Sequence, residues 1–108
     1  MNLSTSTVVI GDLAVITLSG EVDLSTIPML HDALSKALTH HPDRWLIIDL
    51  DGVTVLDDTG LGVLLGAAAS AREAGVDLAV VSNSHRLRER FERTGFSRAV
   101  EVRTRLSG

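Results

Sequence analysis

Trp45-Leu46-Ile47-Ile48-Asp49-Leu50-Asp51-Gly52-Val53-Thr54-Val55-Leu56-Asp57-Asp58-Thr59-Gly60-Leu61-Gly62 is the stretch around which the other elements are arranged. It opens with the most apolar run in the chain, Trp45 to Ile48, and leads into the most helix-like segment, Leu61 to Ala74. A strand over 45–50, a short loop and a helix are therefore expected to meet here. The carboxylates of Asp49, Asp51, Asp57 and Asp58 and the hydroxyl of Thr59 would lie close together. In an α/β fold, sites form in the crevice beyond the carboxyl ends of the central strands, so function is expected there.

Outward from this stretch, the pattern alternates between strands and helices. Before it, Val8 and Ile10, then Ala14, Ile16 and Leu18, alternate as half-buried strands over 5–10 and 13–19, with Gly11-Asp12 between them as a type II′ hairpin turn. Gly20 to Leu24 leaves the second strand for a loop. Ser25 or Thr26 is placed to cap a helix over about 26–39 that carries Pro28 in its first turn and an apolar stripe of Ile27, Leu30, Leu34, Ala37 and Leu38. His40-His41-Pro42-Asp43 ends it, because the residue before a proline is driven out of the helical region.

Trp45 to Leu50 is apolar on both faces, as a central strand requires. Beyond the helix over about 59–74, Gly75 suits a left-handed stop, and Val76 to Val81 reads as a second inner strand. Asn83 or Ser84 caps a third helix with Leu87 and Phe91 facing inward and Gly95 as its end. Ala99 to Val102 forms a short last strand, followed by a polar tail over 104–108. The order β-β-α-β-α-β-α-β specifies an α/β fold, a single domain with a mixed four- to five-stranded sheet, parallel in its later part.

Composition narrows the function. One domain's worth of chain, 108 residues at 44% hydrophobic, contains no cysteine, so disulfides, thiolate metal sites and cysteine nucleophiles are excluded. No apolar run approaches the roughly 20 residues that cross a bilayer, and the amino end lacks a charged-then-apolar signal, so a cytoplasmic protein without a membrane partner is expected. A net charge of −4 speaks against nucleic-acid binding, which needs a basic stripe. The basic residues are nine arginines and Lys36, with Arg86, Arg88, Arg90 and Arg93 interleaved with Glu89 and Glu92 as a solvated helix face.

Catalytic and cofactor motifs fail on their details. Gly60, Gly62 and Gly66 follow a strand and open a helix, but Leu65 stands where a dinucleotide fingerprint needs its third glycine, and the next strand ends without an acidic residue. The four aspartates could hold magnesium only in a phospho-acceptor arrangement, which also needs a nearby lysine, whereas Lys36 lies in the first helix. Asp57 or Asp58 serves better as a cap of the second helix, where a negative charge gains about 0.3 to 1 kcal/mol from the helix dipole. His31, His40, His41 and His85 have no metal-ligand spacing. Neither enzyme, cofactor nor metal is expected.

Two segments then carry a resemblance. Gly20-Glu21-Val22-Asp23 and Leu56-Asp57-Asp58-Thr59-Gly60-Leu61-Gly62, in a frame of this order and length, resemble the STAS domain, and within it the stand-alone bacterial anti-sigma-factor antagonists. The likeness extends over roughly residues 5 to 103. It implies a protein that binds an anti-sigma factor, a serine/threonine kinase-like partner, and so releases a sigma factor to transcription. It also implies phosphorylation of a hydroxyl in the pattern Asp-Ser-Ser/Thr-Gly-Leu-Gly.

Here the acceptor position holds Asp58, which has no hydroxyl. The resemblance therefore implies either that the phosphoswitch is lost or is shifted to Thr59, whose other expected role is to bond the first free N–H groups of the helix, or that Asp58 resembles the phosphorylated state and the protein is a weak or differently regulated binder of another partner. Asp57 and Thr59 match the neighbouring positions, and Asp23 matches the acid on the adjacent loop. Leu61 and Val55 beside Asp23, Asp58 and Thr59 are expected to form a mixed patch, with Gly60 and Gly62 admitting another backbone. The chain is expected to be a monomer or weak dimer. An alternative of another class is a non-phosphorylated STAS module of a scaffold or of a lipid or anion transport assembly.

Overall fold

A computed structural model describes residues 2–40 and 45–105. The elements are β1 (Leu3–Ile10), β2 (Leu13–Val22), α1 (Ile27–His40), β3 (Trp45–Leu56), α2 (Asp58–Glu73), β4 (Leu78–Val81), α3 (His85–Thr94), α4 (Phe96–Ala99) and β5 (Glu101–Arg103). The strands form one sheet in sequential order, with β1 and β2 antiparallel and every later pair parallel. The α/β class, the mixed sheet and its parallel later part match the sequence reading. At the first turn, Ile10 pairs with Leu13, Gly11 has φ 59° and Asp12 does not have a positive φ, which is the type II′ pattern.

Sequential strand order with right-handed crossovers places every helix on one face of the sheet. The main core shows this directly. Ala14, Ile16 and Leu18 of β2, Leu46, Ile48 and Leu50 of β3 and Val80 of β4 pack in one cluster with Leu30 and Leu34 of α1, Leu61 and Leu64 of α2, and Phe91 of α3. On the opposite face a smaller cluster of Val15, Ile47, Ala79 and Val81 packs with Trp45, and the Arg103 guanidinium carbon lies 4.9 Å from the indole centroid. A cation and an aromatic ring thus roof the face that has no helix. Ile47 is fully buried as a result.

The first strand starts at Leu3 rather than residue 5 and leaves Val8 and Ile10 exposed, and four further features differ from the sequence reading. The largest is β3, which does not stop at Leu50 but runs on to Leu56, beside an equally prolonged β2: Ser19 pairs with Gly52, Gly20 with Val53, Glu21 with Val55 and Val22 with Leu56. The register shifts twice on the way, between Thr17 and Ser19 and between Gly20 and Glu21. Glycine accommodates those irregularities: Gly20 has φ 113°, and a Cβ on it would lie 2.3 Å from the Asn2 carbonyl oxygen. A glycine-and-acid segment that looked like a loop is therefore a bulged strand.

The second difference is Val76, read as the start of a strand. Its N–H bonds the Ala71 carbonyl and that of Gly75 bonds Arg72, the paired closure of a Schellman stop, with Gly75 at φ 75°. The third is α4, a single turn absent from the reading. It closes on Val100 N–H to Phe96 O and stacks Phe96 on Phe91 at 4.5 Å between ring centroids. The last strand consequently begins at Glu101 rather than Ala99 and ends at Arg103. Fourth, neither Ser25 nor Thr26 caps α1 with its side chain. Thr26 Oγ1 reaches back to donate to the Glu21 carbonyl, and Ser25 bonds Asp23. His41, Pro42 and Asp43, read as the end of α1, lie outside the described residues, as do 106–108 of the expected tail.

Candidate functional site

The carboxyl ends of β2 and β3 meet at a corner where both chains turn into helices. Val22 pairs with Leu56, and the Asp57 N–H then donates to the Val22 carbonyl at 3.0 Å. Asp23 therefore follows directly on the strand beside Asp57 and Asp58, at the roughly 4.8 Å spacing of neighbouring strands. The expected juxtaposition of the two motifs is present. At this corner Asp57 caps α2: its Oδ1 accepts from the Gly60 N–H at 2.9 Å, and its carbonyl accepts from Leu61 N–H. Such a cap stabilises a helix by about 1 kcal/mol.

The facing loop is built as tightly. Asp23 Oδ1 accepts from both the N–H and the hydroxyl of Ser25, at 3.0 and 2.6 Å. These bonds, the Ser25 hydroxyl first, hold the Asp23 carboxyl below its ordinary value. Thr26, buried beneath the loop, accepts from the Asp23 N–H and donates to Glu21 O. Leu24, next in the chain, is 74% exposed. Nothing in its spacing marked it out. Its exposure follows from the turn between a strand end and a helix start.

Asp58 projects from the first turn of α2 with 96% of its side chain exposed, yet its Oδ1 is 2.6 Å from Arg90 Nη2. The other Arg90 nitrogen, Nη1, donates to the Leu56 carbonyl. One planar fork from α3 therefore holds both the last carbonyl of β3 and the carboxylate that follows it. Arg90 was read as part of a solvated helix face, but its side chain is only 20% exposed and turned into the corner. The available signal was position: Arg90 lies three residues after the buried Leu87, on the side of α3 that flanks the core.

Thr59 and Gly62 are exposed, and a Cβ on Gly62 would meet no atom within 4 Å. Among the described residues, the Thr59 hydroxyl has no side-chain hydrogen bond; the capping role falls to Asp57 instead. Val55 is 41% exposed. Two other members of the expected patch require correction. Leu61 is only 6% exposed and belongs to the core, on the same stripe as Leu64, Ala68 and Ala71. Gly60 is buried, and a Cβ there would lie 2.4 Å from Val22 Cγ1 and 3.0 Å from Leu56 Cδ1. Its missing side chain makes room for the protein's own strands, so the space beside it is already filled.

The four aspartates do not converge. Asp49 and Asp51 sit in the middle of β3, where Asp49 Oδ1 accepts from Asp51 N–H and Asp51 Oδ1 accepts from Asn83 N–H at 2.6 Å. About six residues of strand, roughly 20 Å, separate them from Asp57 and Asp58. They brace the sheet and the loop ahead of α3, whose cap is Ser84. Among the described residues no group of three or more His, Asp or Glu side chains is placed to hold a metal ion, and no helix is long and apolar enough to cross a membrane.

The model of the STAS domain matches residues 4–107. The chain belongs to the STAS family. Its relatives include the anti-sigma-B factor antagonist of Listeria monocytogenes, 38% identical over 88 residues that make up 82% of this chain and 76% of the relative. The protein of the same name from Staphylococcus aureus is 28% identical over 94% of both chains. Among solved structures, an anti-sigma factor antagonist from Mycobacterium paratuberculosis superposes with a TM-score of 0.87 over 97% of this STAS chain and 88% of its own, at 24% identity. That last likeness is one of fold. The five-stranded sheet with its helices is the STAS architecture, and the corner described above is formed by the two segments through which the family was recognisable in the sequence.

Proposed function

We propose that this STAS protein is an anti-sigma-factor antagonist that docks on a kinase-like anti-sigma factor through the corner between β2 and β3 and so releases a sigma factor, acting in the cytoplasm as a monomer or weak dimer. The names of the Listeria and Staphylococcus relatives support this role. The observation that carries it is the pairing of Val22 with Leu56, which sets Asp23 beside Asp57 and Asp58 at the start of a helix whose Thr59 and Gly62 are open to solvent.

Asp23, Leu24, Val55, Asp58, Thr59 and Gly62 form the contact surface; Asp57, Gly60 and Leu61 hold it in shape from beneath. A mixed apolar and polar patch of this kind suits a reversible complex. Asp58 contributes a permanent negative charge at the place where the family's serine would gain about 1.5 to 2 charges on phosphorylation. Because Arg90 already holds that charge, the partner meets a fixed carboxylate, and Thr59 is the one hydroxyl left at the loop for modification.

The test uses the purified protein and the anti-sigma factor of the same organism, in complex with its sigma factor. Added antagonist should displace the sigma factor, with binding seen by calorimetry. Absence of both binding and displacement would overturn the proposal. Gly62→Trp should weaken binding at least tenfold while far-UV dichroism stays unchanged. Incubation with ATP and that partner should label Thr59 within a peptide covering 45–72; label confined to other peptides would remove Thr59 as the acceptor.

A further inference from the structure

A groove of about 320 Å³ lies between the end of β3 and the facing flank of α3, next to the corner, and shares only Leu56 with the two segments that carried the family likeness. Val55 and Leu87 supply apolar lining, and Arg86, Arg90 and Arg93 line it with positive charge. Spacings of four and three residues bring these arginines onto one helix face, over about 10 Å of axis. In a chain of net charge −4 this is a local reversal of sign.

The three guanidiniums are not equivalent. Arg90 is engaged with Asp58 and Leu56 O. Arg86 reaches only the Thr54 carbonyl, at 3.5 Å. Among the described residues, neither Arg86 nor Arg93 has a carboxylate within ion-pair distance. The one acid that lines the groove, Glu89, lies 3.6 Å from His85 Nε2. Two planar forks, each suited to bidentate capture of a carboxylate, therefore face solvent beside an apolar strip.

We infer that this groove is a second half of the docking face and takes an acidic segment of the protein partner: carboxylates on Arg86 and Arg93, with an apolar side chain between them on Val55. The spread of the charge argues for a segment over a single anion. Side chains at i, i+2 and i+4 of an extended chain share one face, so carboxylates four residues apart, about 13 Å from one another, flank an apolar side chain midway and lie within reach of both flexible arginines, whereas one phosphate spans a fraction of that distance. Continuity argues for the same partner, since Val55 belongs to both surfaces and Arg90 joins them. The inference rests on the corner being a protein-docking face, and the two can fail separately.

The test titrates the ¹⁵N-labelled protein with a capped heptapeptide that carries glutamate at its second and sixth positions, valine at its fourth and serine elsewhere, using the same peptide with lysine for glutamate and inorganic phosphate as controls. The acidic peptide should move the amides of 54–56 and 86–93 saturably. The double variant Arg86→Ala/Arg93→Ala should weaken it about tenfold, and 0.5 M salt should reduce that difference. Equal shifts with the lysine peptide, unchanged affinity in the double variant, or phosphate alone reproducing the shifts and blocking the peptide would each overturn the inference, the last by making the groove a simple anion site.

A second arm uses the anti-sigma factor. Arg86→Glu/Arg93→Glu should bind it about tenfold more weakly at low salt. Unaltered binding by that variant, with Gly62→Trp still disruptive, overturns the groove and leaves the corner standing. If the wild-type protein does not bind the anti-sigma factor at all, the corner reading fails and the peptide titration alone decides the groove.

Discussion

The two halves of β3 differ more than any two neighbouring elements of the molecule. From Trp45 to Leu50 the strand is buried or half-buried at every position, whereas from Asp51 to Leu56 only Leu56 is buried. The first half lies between β2 and β4, with Leu46, Ile48 and Leu50 in the main core and Ile47 on the roofed face. The second half has β2 alongside but no partner in β4, whose pairing ends at Asp49 with Val81. Burial is concentrated in one half, and the other half is the part of the strand on which the proposed docking surface is built. A single strand can therefore anchor a fold and still present an open surface.

Ile48→Ala strikes the first half. Removing a fully buried side chain from a close-packed core should cost about 3 to 4 kcal/mol by urea denaturation, with partner affinity per folded molecule unchanged. A loss under about 1 kcal/mol would erase the contrast. At the junction with α2, Gly60→Val should cost about 2 kcal/mol, because the new Cβ meets Val22 and Leu56. Gly62→Trp, two residues on but in open space, should change stability by less than about 1 kcal/mol and act on binding alone. Equal destabilisation by the two would show that the corner is not divided into a packed side and an open side.

Arg90→Ala tests whether the second half needs support from α3. Losing the ion pair to Asp58 and the partly buried bond to the Leu56 carbonyl should cost about 1 to 2 kcal/mol of stability, a modest fall in melting temperature, while partner affinity per folded molecule falls several-fold. Lysine should not rescue it, because a single ammonium cannot hold both Leu56 O and Asp58 as the fork does. Smallest is the effect of Asp23→Asn. Hydrogen bonds from Ser25 hold the Asp23 carboxyl below 3.8 in the folded chain. A depressed folded value stabilises above that pH, and the contribution disappears as pH falls through it. The variant's stability should accordingly depend less on pH below about 4, as followed by fluorescence of Trp45.

The helices and inner strands were legible because their burial is periodic. Leu30, Leu34 and Ala37 repeat at helical spacing, and Trp45 to Ile48 is apolar throughout, so tertiary packing only confirmed the local pattern. The outer half of β3 was not, because Asp51 and Gly52 carry the chemistry of a turn. Only the matching extension of β2, remote in sequence, turns them into strand. Proximity of Asp23 to Asp57 followed from the family likeness, while the inward direction of Leu61 could have been read from its three-residue step to Leu64. Arg90 was hidden for a different reason. An arginine among glutamates reads the same whether it faces water or a carbonyl, and the carbonyl belongs to a strand about 34 residues earlier.

The two register shifts between β2 and β3 lie on the path from the core pairs, Ile16 with Ile48 and Thr17 with Asp49, to the corner pair of Val22 with Leu56. In an unbroken ladder, adding or deleting one residue near the tip would rotate every side chain below it to the opposite face. Here such a change meets two slack points first. The tip of this molecule is thus set off from its foundation by two irregular steps, so a length change at the proposed docking corner has two places to be absorbed before it reaches the interior.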